Sequence, residues 1–462
     1  LKETALAYRS VDPTTGEVLA TFDNHTDAEL EAGLAVAQSV YASDWSKGPI
    51  GPRLDVLGQL AQRIEDRAEL LALTIVKEMG KRIVEARREV ALIADIARYY
   101  AENAAAILSP APIETPLGEA WIEHHPIGVV VAVEPWNFPL YQLMRVCAPN
   151  IAVGNPVLAK HASIVPQCAL AFEDLVVAAG APRGVWTNIF ASSDQVATLI
   201  ADDRVQGVAL TGSENAGSIV AAQAGKYLKK SVMELGGADV FVVMDDADVD
   251  RAVEIGVEAR LRGAGQVCNG AKRFLLHEAV ADAFLEKFTA RFAAIRIGDP
   301  FDETTGLGPL CSVAARDDLV TQVQRAVQAG ATLHYGGQAI DGPGAFMEPT
   351  ILTDVDHTNP AYFEEFFGPI AEIYRVKDDE AIIALANDSP YGLSGAIFTR
   401  DVARARALAS RIETGSVWIN AASFTAPELP FGGVKRSGYG RELSEYGLKE
   451  LVNQKMVLVA GH

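Results

Sequence analysis

Basic residues are in short supply: 40 Lys and Arg stand against 60 Asp and Glu in 462 residues, a formal net charge of −20. That balance excludes a general nucleic-acid binder, because holding phosphates needs a basic field. Long apolar runs are missing as well. Stretches such as Gly128 to Val133 are strand-sized, far below the ~18 residues a membrane helix requires. Leu1 to Ser10 carries no basic segment followed by an apolar one, so no secretory signal is expected. Cysteine is scarce, and Cys147, Cys168, Cys268 and Cys311 lie too far apart for a C-x-x-C redox pair or a local zinc knuckle. The histidines include no H-E-x-x-H. His124 and His125, adjacent in an extended stretch, point to opposite faces and are poor joint ligands. No metal site is expected. Four thiols without a leader imply a reduced, cytoplasmic setting, in which a functional cysteine would act as a nucleophile. Internal repeats and low-complexity tracts are also absent.

What is present is a long, ordinary globular chain. At roughly 150 residues per domain it predicts about three domains, or two with an appendage. From Arg53 to Lys77, Leu54, Leu57, Leu60, Ala61, Ile64, Ala68 and Leu71 recur at helical spacing, with Gly80 as the stop. A second helix is predicted over Arg82 to Ile107. The proline-rich stretch Ser109 to Pro116 reads as a connection, and Trp121 to His125 as a short strand. From Val129 onward short apolar runs (129–133, 156–160, 185–190, 205–212, 239–244) alternate with helical stretches (140–153, 167–179, 194–201, 216–227). That alternation predicts a parallel, doubly wound α/β sheet. A second α/β unit follows over about 250–420, and Met456 to Ala460 is a lone strand expected to pair outside its own unit.

Ligands of doubly wound sheets bind beyond the carboxyl ends of the strands, so the strand-to-helix turns are the places to look. No G-x-G-x-x-G is found. Thr211, Gly212 and Ser213 stand between a strand and a helix, where they either hold a pyrophosphate or cap the helix. Lys160 closes an apolar strand, as a ligand-facing ammonium or as a snorkelling surface lysine. Cys268 sits in a loop whose glycines at 263, 265 and 270 leave the backbone bare for close approach. Glu234, beside a Leu-Gly-Gly turn, is either a general base with a raised pKa or a hydrogen-bonded structural carboxylate. Asn137, between Trp136 and Phe138-Pro139, either caps the next helix or donates to an oxyanion.

The segments EPWNFP, LAKHAS, LTGS, MELGG, GQVCNGAKRF, EEFFGP and PFGGVKRSGYGRE follow one another in this order over nearly the whole chain. Together they closely resemble the NAD(P)-dependent aldehyde dehydrogenase superfamily. The resemblance implies Cys268 as nucleophile, Glu234 as general base and Asn137 as oxyanion donor. It also implies cofactor contacts from Trp136, Lys160, Ser163, Gly212, Ser213, Leu235, Glu365 and Phe367. The implied reaction adds the thiolate to an aldehyde carbonyl, transfers hydride to nicotinamide and hydrolyses the resulting thioester with Glu234's help. In many NAD-using relatives a glutamate stands at the Ser163 position; its absence should permit NADP, with the choice between NAD and NADP open. Arg145 and Arg262 match positions that grip the distal carboxylate in succinate-semialdehyde dehydrogenases. Succinate semialdehyde is therefore the implied substrate, with Ser423 and Thr425 as further contacts.

The implied fold is two doubly wound α/β domains with a small β oligomerisation element. The expected division is a cofactor domain over 1–107 and 126–235, a catalytic domain over 236–440, and an oligomerisation element over 108–125 and 441–462. A homodimer or dimer of dimers is expected, with no nucleic acid and no membrane as partner. The rival functions are a broader aldehyde dehydrogenase, a cofactor-independent cysteine hydrolase or acyltransferase, and a non-catalytic cofactor-binding protein. The hydrolase would need a base such as histidine, and His277, the nearest to Cys268 in sequence, has no recognisable partner pattern.

Overall fold

The computed structural model describes residues 8–461. The expectation of no secretory signal rests on Leu1 to Ser10, of which residues 1–7 lie outside the described residues. Two β-sheets organise the chain. The first runs, in spatial order, Gly438–Tyr439, Lys230–Glu234, Val205–Thr211, Val129–Glu134, Val157–His161 and Trp186–Asn188. All pairings are parallel except that of Gly438–Tyr439. Both faces are apolar. Val130, Ala132, Ala159, Ala209 and Val232 pack into one core, while Val129, Val131, Leu158, Val208 and Leu210 pack into another. The expected doubly wound sheet is present. Its switch point lies between Val129–Glu134 and Val205–Thr211, because the chain winds outward to Trp186–Asn188 and then returns to the other side.

The second sheet runs Thr332–Tyr335, Thr350–Thr353, Ile370–Val376, Ala271–His277, Asp239–Val243, Ser394–Phe398 and Ser416–Ile419. It holds a separate core around Phe241, Phe274, Phe284 and Phe288. Only Leu235, Gly236, Gly237 and Ala238 separate the end of Lys230–Glu234 from the start of Asp239–Val243. The carboxyl edge of the first sheet therefore abuts the amino edge of the second. This junction positions the site.

A third, three-stranded sheet pairs Val452–Ala460 with Gly118–Pro126, and that strand with Ala111–Ile113. The tail strand thus pairs outside its own unit, as its isolation suggested. The preceding residues Leu443, Leu448 and Leu451 belong to the first core.

Three local expectations need correction. The helix expected over 53–77 is two, Gly51–Asp66 and Ala68–Met79, broken at Arg67 with φ −115° and ψ 15°. Neither Pro nor Gly marks the break; both pieces bend to pack on the long helix Ile83–Ile107. Gly80 does end the second piece, in the left-handed conformation at φ 75°. Ser109 to Pro116 is not only a connection, since Ala111–Ile113 is an edge strand. Edge position explains how Pro112 is accommodated there, because its lacking N–H leaves no ladder bond unmade. Lys230–Glu234 was not anticipated as a strand; its start, Lys230-Ser231, is too polar for the buried-run signal.

Candidate active site

Four adjacent strands of the first sheet end in polar residues at matched register. His161 pairs with Glu134, Leu210 with Val133 so that Thr211 lies beside Glu134, and Thr211 pairs with Glu234. In a parallel sheet such neighbours share a face. Here it is the face covered by helix Pro139–Val153, below which Val130, Ala132, Val157, Ala159, Ala209 and Val232 are apolar. The helix carries Arg145 over this row. Its guanidinium donates from Nη2 to Thr211 Oγ1 at 3.0 Å and pairs through Nε with Glu442 at 2.6 Å.

Glu234 is 1% exposed, and both its carboxylate oxygens lack a hydrogen-bond partner among the described residues. Burial first, then the Glu442 charge, push its pKa well above the ordinary range, against Arg145 and Arg441. Gly432, at φ 152°, passes so close that a Cβ there would stand 2.7 Å from Glu234 Oε1. The carboxyl sits at the end of a strand, held by geometry more than by hydrogen bonds. That favours the general-base alternative over a satisfied structural carboxylate.

Cys268 lies between the turn Arg262–Gly265 and strand Ala271–His277, at the amino edge of the second sheet. It is half-buried, whereas Cys147, Cys168 and Cys311 are buried. Burial lifts the Cys268 thiol to about 11, opposed by the nearby cations Arg145 and Lys272. Glu234 stands close enough to act on the same thiol through its charge. Asn137 comes to the same loop: its Nδ2 donates to the Gln266 carbonyl at 3.1 Å, and Gln142 Nε2 donates to its Oδ1 at 3.3 Å. Asn137 does not cap helix Pro139–Val153, which has no side-chain cap. Glu89 takes over, accepting the N–H groups of Leu140 and Tyr141 at 2.9 and 3.1 Å while paired with the buried Lys81.

A cavity of about 300 Å³ opens beside the thiol, walled by Phe138, Tyr141, Arg262, Asn269, Phe424 and Thr425. Arg262 reaches it half-buried, its Nη2 3.3 Å from Asn269 Oδ1 and its Nε without a partner. A guanidinium on that wall suits an anionic ligand. Arg145 is placed differently from the sequence expectation. It is 1% exposed, committed to Glu442 and Thr211, stacked over Tyr141 and Phe431, and absent from the cavity wall. Ser423 is also turned away, 9% exposed with its Oγ accepting from Asn269 Nδ2 at 2.8 Å. Thr425 is on the wall, beside the Tyr141 hydroxyl.

Most residues implied for a nicotinamide cofactor follow strand ends of the first sheet near the switch point, while Glu365 and Phe367 come from the segment before Ile370–Val376 in the second sheet. Trp136 and Phe367 meet edge to face with ring centroids 5.8 Å apart. Burial alone lowers the Lys160 pKa, and no described carboxylate acts on it, which leaves a cation fit for a phosphate. Ser163 lies two residues past the same strand, its carbonyl bonded by the Arg9 N–H at 2.8 Å. His161, by contrast, is fully buried with Nδ1 3.2 Å from the Glu134 carbonyl, and desolvation depresses it to about 3. It offers a phosphate no cation. Ser213 caps helix Glu214–Lys226 through the Ala216 N–H. The Gly212 N–H bonds the Glu234 carbonyl at 2.9 Å, and Leu235 packs against Gly217. Glu365 accepts from the Gly237 N–H at 3.1 Å and pairs with Lys272 at 2.8 Å. A Cβ at Gly236 would fall 2.3 Å from its Oε2, so only glycine leaves that carboxylate accessible there. The donor set fits a dinucleotide. Sequence reasoning passed over Lys272, Glu442 and Tyr141, although a lysine inside a buried strand was a signal.

Among the described residues, no group of three or more His, Cys, Asp or Glu side chains is placed to hold a metal. No described helix is long and apolar enough to cross a membrane.

Two α/β bodies meeting edge to edge over a half-buried thiol, with a nucleotide-type switch point beside it, have the architecture of a nucleotide-dependent thiol enzyme. The chain belongs to the aldehyde dehydrogenase family, which it matches over residues 2–457. It is 47% identical to the succinate-semialdehyde dehydrogenase [NADP(+)] of Deinococcus radiodurans, over 97% of this chain and 94% of that one. Its identity to the probable succinate-semialdehyde dehydrogenase [NADP(+)] of a Synechocystis species is 42%, over 98% and 100% of the two chains. Among solved structures, succinic semialdehyde dehydrogenase from Streptococcus pyogenes with NADP+ superposes with a TM-score of 0.97 at 48% identity, covering 98% of this chain and 100% of the other. Betaine aldehyde dehydrogenase from Staphylococcus aureus with NAD+ gives 0.95 at 30%, covering 98% and 92%.

Proposed function

We propose that this protein oxidises succinate semialdehyde to succinate with NAD(P)+, NADP+ being the favoured cofactor. The observation that carries the substrate is Arg262, a half-buried guanidinium on the wall of the cavity that holds Cys268. Similarity to relatives named for this aldehyde and for NADP supports both choices. The cation at Lys160 and the hydroxyl at Ser163, where a carboxylate would repel a 2′-phosphate, support NADP+.

The bound cofactor supplies the hydride acceptor, and Trp136, Lys160, Ser163, Gly212, Ser213, Leu235, Glu365 and Phe367 would hold it. The chain's own residues do the remaining work. The Cys268 thiol gives up its proton to solvent, the thiolate adds to the aldehyde carbon, and the carbonyl π pair becomes an alkoxide held by the Cys268 N–H and Asn137 Nδ2. Oxidation leaves a thioester on Cys268. Glu234 then takes a proton from water, hydroxide adds to the thioester carbon, and the S–C bond breaks to return the thiolate and the acid. Arg262 and Thr425 would hold the distal carboxylate, with Ser423 orienting Asn269 behind them. Arg145 serves instead as the buried counter-ion of Glu442.

The separate cores support a cofactor-binding domain (1–107, 126–235) and a catalytic domain (236–440), and the three-stranded sheet supports an assembly element (108–125, 441–462) whose start, Leu443 to Val452, also packs into the first core. Exposed Met456, Leu458 and Val459 on the tail strand support a dimer or dimer of dimers.

The test is nicotinamide reduction with NAD+ or NADP+ against a panel of acidic and neutral aldehydes. Arg262→Ala should raise KM for succinate semialdehyde at least about tenfold, the effect of one charged hydrogen bond, and leave a neutral aldehyde within twofold. Equal effects on both aldehydes would remove Arg262 from substrate recognition.

A further inference from the structure

We propose that Lys272 organises the oxyanion hole by gripping the carbonyl end of the peptide unit whose other end is the Cys268 N–H. The inference rests on the reading of Cys268 as nucleophile and of its N–H as an oxyanion donor. Lys272 stands at the start of strand Ala271–His277 and is 1% exposed. A lysine buried so completely needs partners for all three ammonium donors. Lys272 has them: the Val267 carbonyl at 3.0 Å, the Cys268 carbonyl at 2.7 Å and Glu365 Oε1 at 2.8 Å.

The Val267 carbonyl and the Cys268 N–H belong to one planar trans peptide and point in opposite directions from it. Whatever fixes the carbonyl therefore fixes the aim of the N–H. The Gly270 N–H adds a second bond to the same carbonyl at 3.1 Å. A cation on the carbonyl oxygen also polarises the amide, which makes its N–H a stronger donor. The preceding backbone is poorly suited to hold this peptide alone. Gly263, Ala264 and Gly265 are all left-handed, at φ 57°, 54° and 74°, a conformation that is costly for the alanine. From the other side Asn137 is anchored on the Gln266 carbonyl at 3.1 Å, so both oxyanion donors are referenced to one clamped loop. Glu365 balances the ammonium's charge, so Lys272 is a positioning residue more than a counter-ion for the thiolate.

Two reactions at the same sulfur separate this role from general damage. Aldehyde addition forms an S–C bond and moves the carbonyl pair onto oxygen, and so needs the oxyanion hole. Alkylation by iodoacetamide forms an S–C bond and expels iodide, and develops no oxyanion. The full-length protein is compared with Lys272→Met and Lys272→Arg by the rapid-mixing burst of NADPH formation from succinate semialdehyde, at NADP+ concentrations shown to saturate each variant because Glu365 also belongs to the cofactor set, and by iodoacetamide labelling of Cys268. Lys272→Met should slow the burst at least about 30-fold, short of the loss of a whole donor. Labelling should slow no more than about threefold, and Lys272→Arg should recover part of the burst. Lys272→Gln, which keeps a donor without the charge, substitutes should the Met variant fail to fold. Equal losses in both reactions, or an unchanged burst, overturn the inference. A wild-type protein that forms no NADPH from succinate semialdehyde overturns the site reading, and this inference with it.

Discussion

Glu234 is the residue whose environment makes the sharpest forecast. Its pKa is raised first by burial and second by Glu442, so the proton-accepting form appears only as pH rises. Thioester hydrolysis should accordingly speed up with pH, with a midpoint well above the usual carboxylate range. Glu234→Gln should keep the burst of nicotinamide reduction and cut steady turnover by roughly 10²–10⁴-fold. The same shift has a consequence for stability. The folded protein holds this proton more tightly than the unfolded chain, so Glu234's stabilising contribution is full at low pH and is lost as pH rises through the folded pKa. Thermal melts should show Glu234→Gln gaining on wild type as pH increases; a constant difference between the two would contradict the raised pKa. What was legible at this scale was residue type with flanks. The bare glycines around Cys268 and the Leu-Gly-Gly beside Glu234 pointed to the site. Partners remote in sequence were not legible. Arg145 has the chemistry to hold a substrate carboxylate, and only the fold reveals that Glu442 already occupies it. Lys272 was hidden because its acceptors are backbone carbonyls, which every sequence has.

Among the elements, helix Pro139–Val153 is the hinge of the construction, since it ties the strand-end row to the C-terminal segment through Arg145 and Glu442. Breaking a buried pair by removing one partner leaves an uncompensated charge. Arg145→Met and Glu442→Leu should each destabilise by about 3–5 kcal/mol in denaturant titrations, and the double variant by less than either alone. Additive losses would show that the two side chains are not coupled. Most elements were readable from periodicity: the buried strands and the helices between them fall within a few residues of expectation. The failures have local physical causes. The break at Arg67 carries no Pro or Gly, Pro112 is permitted only by an edge position, and Lys230–Glu234 begins in polar residues.

At the scale of the whole molecule, a net charge of −20 surrounds a site proposed to bind two anions. Local cations, Lys160 and Arg262, must therefore act against the general field. Raising ionic strength from about 10 to 150 mM screens the distant charges more than the half-buried pair. The kcat/KM for succinate semialdehyde should rise by roughly twofold, with a neutral aldehyde unaffected. A fall with salt would show that long-range attraction dominates instead. The larger arrangement unites a base at the carboxyl edge of one sheet with a thiol at the amino edge of the other, joined through Leu235 to Ala238. The two-edge site is the central claim, and trapping its covalent intermediate tests it most directly. Glu234→Gln is mixed with succinate semialdehyde and NADP+, acid-quenched and mapped by peptide mass spectrometry. The account predicts a succinyl thioester accumulating on Cys268 and on no other cysteine. An unmodified Cys268 while NADPH is formed, or acylation of Cys147, Cys168 or Cys311 in its place, would contradict it.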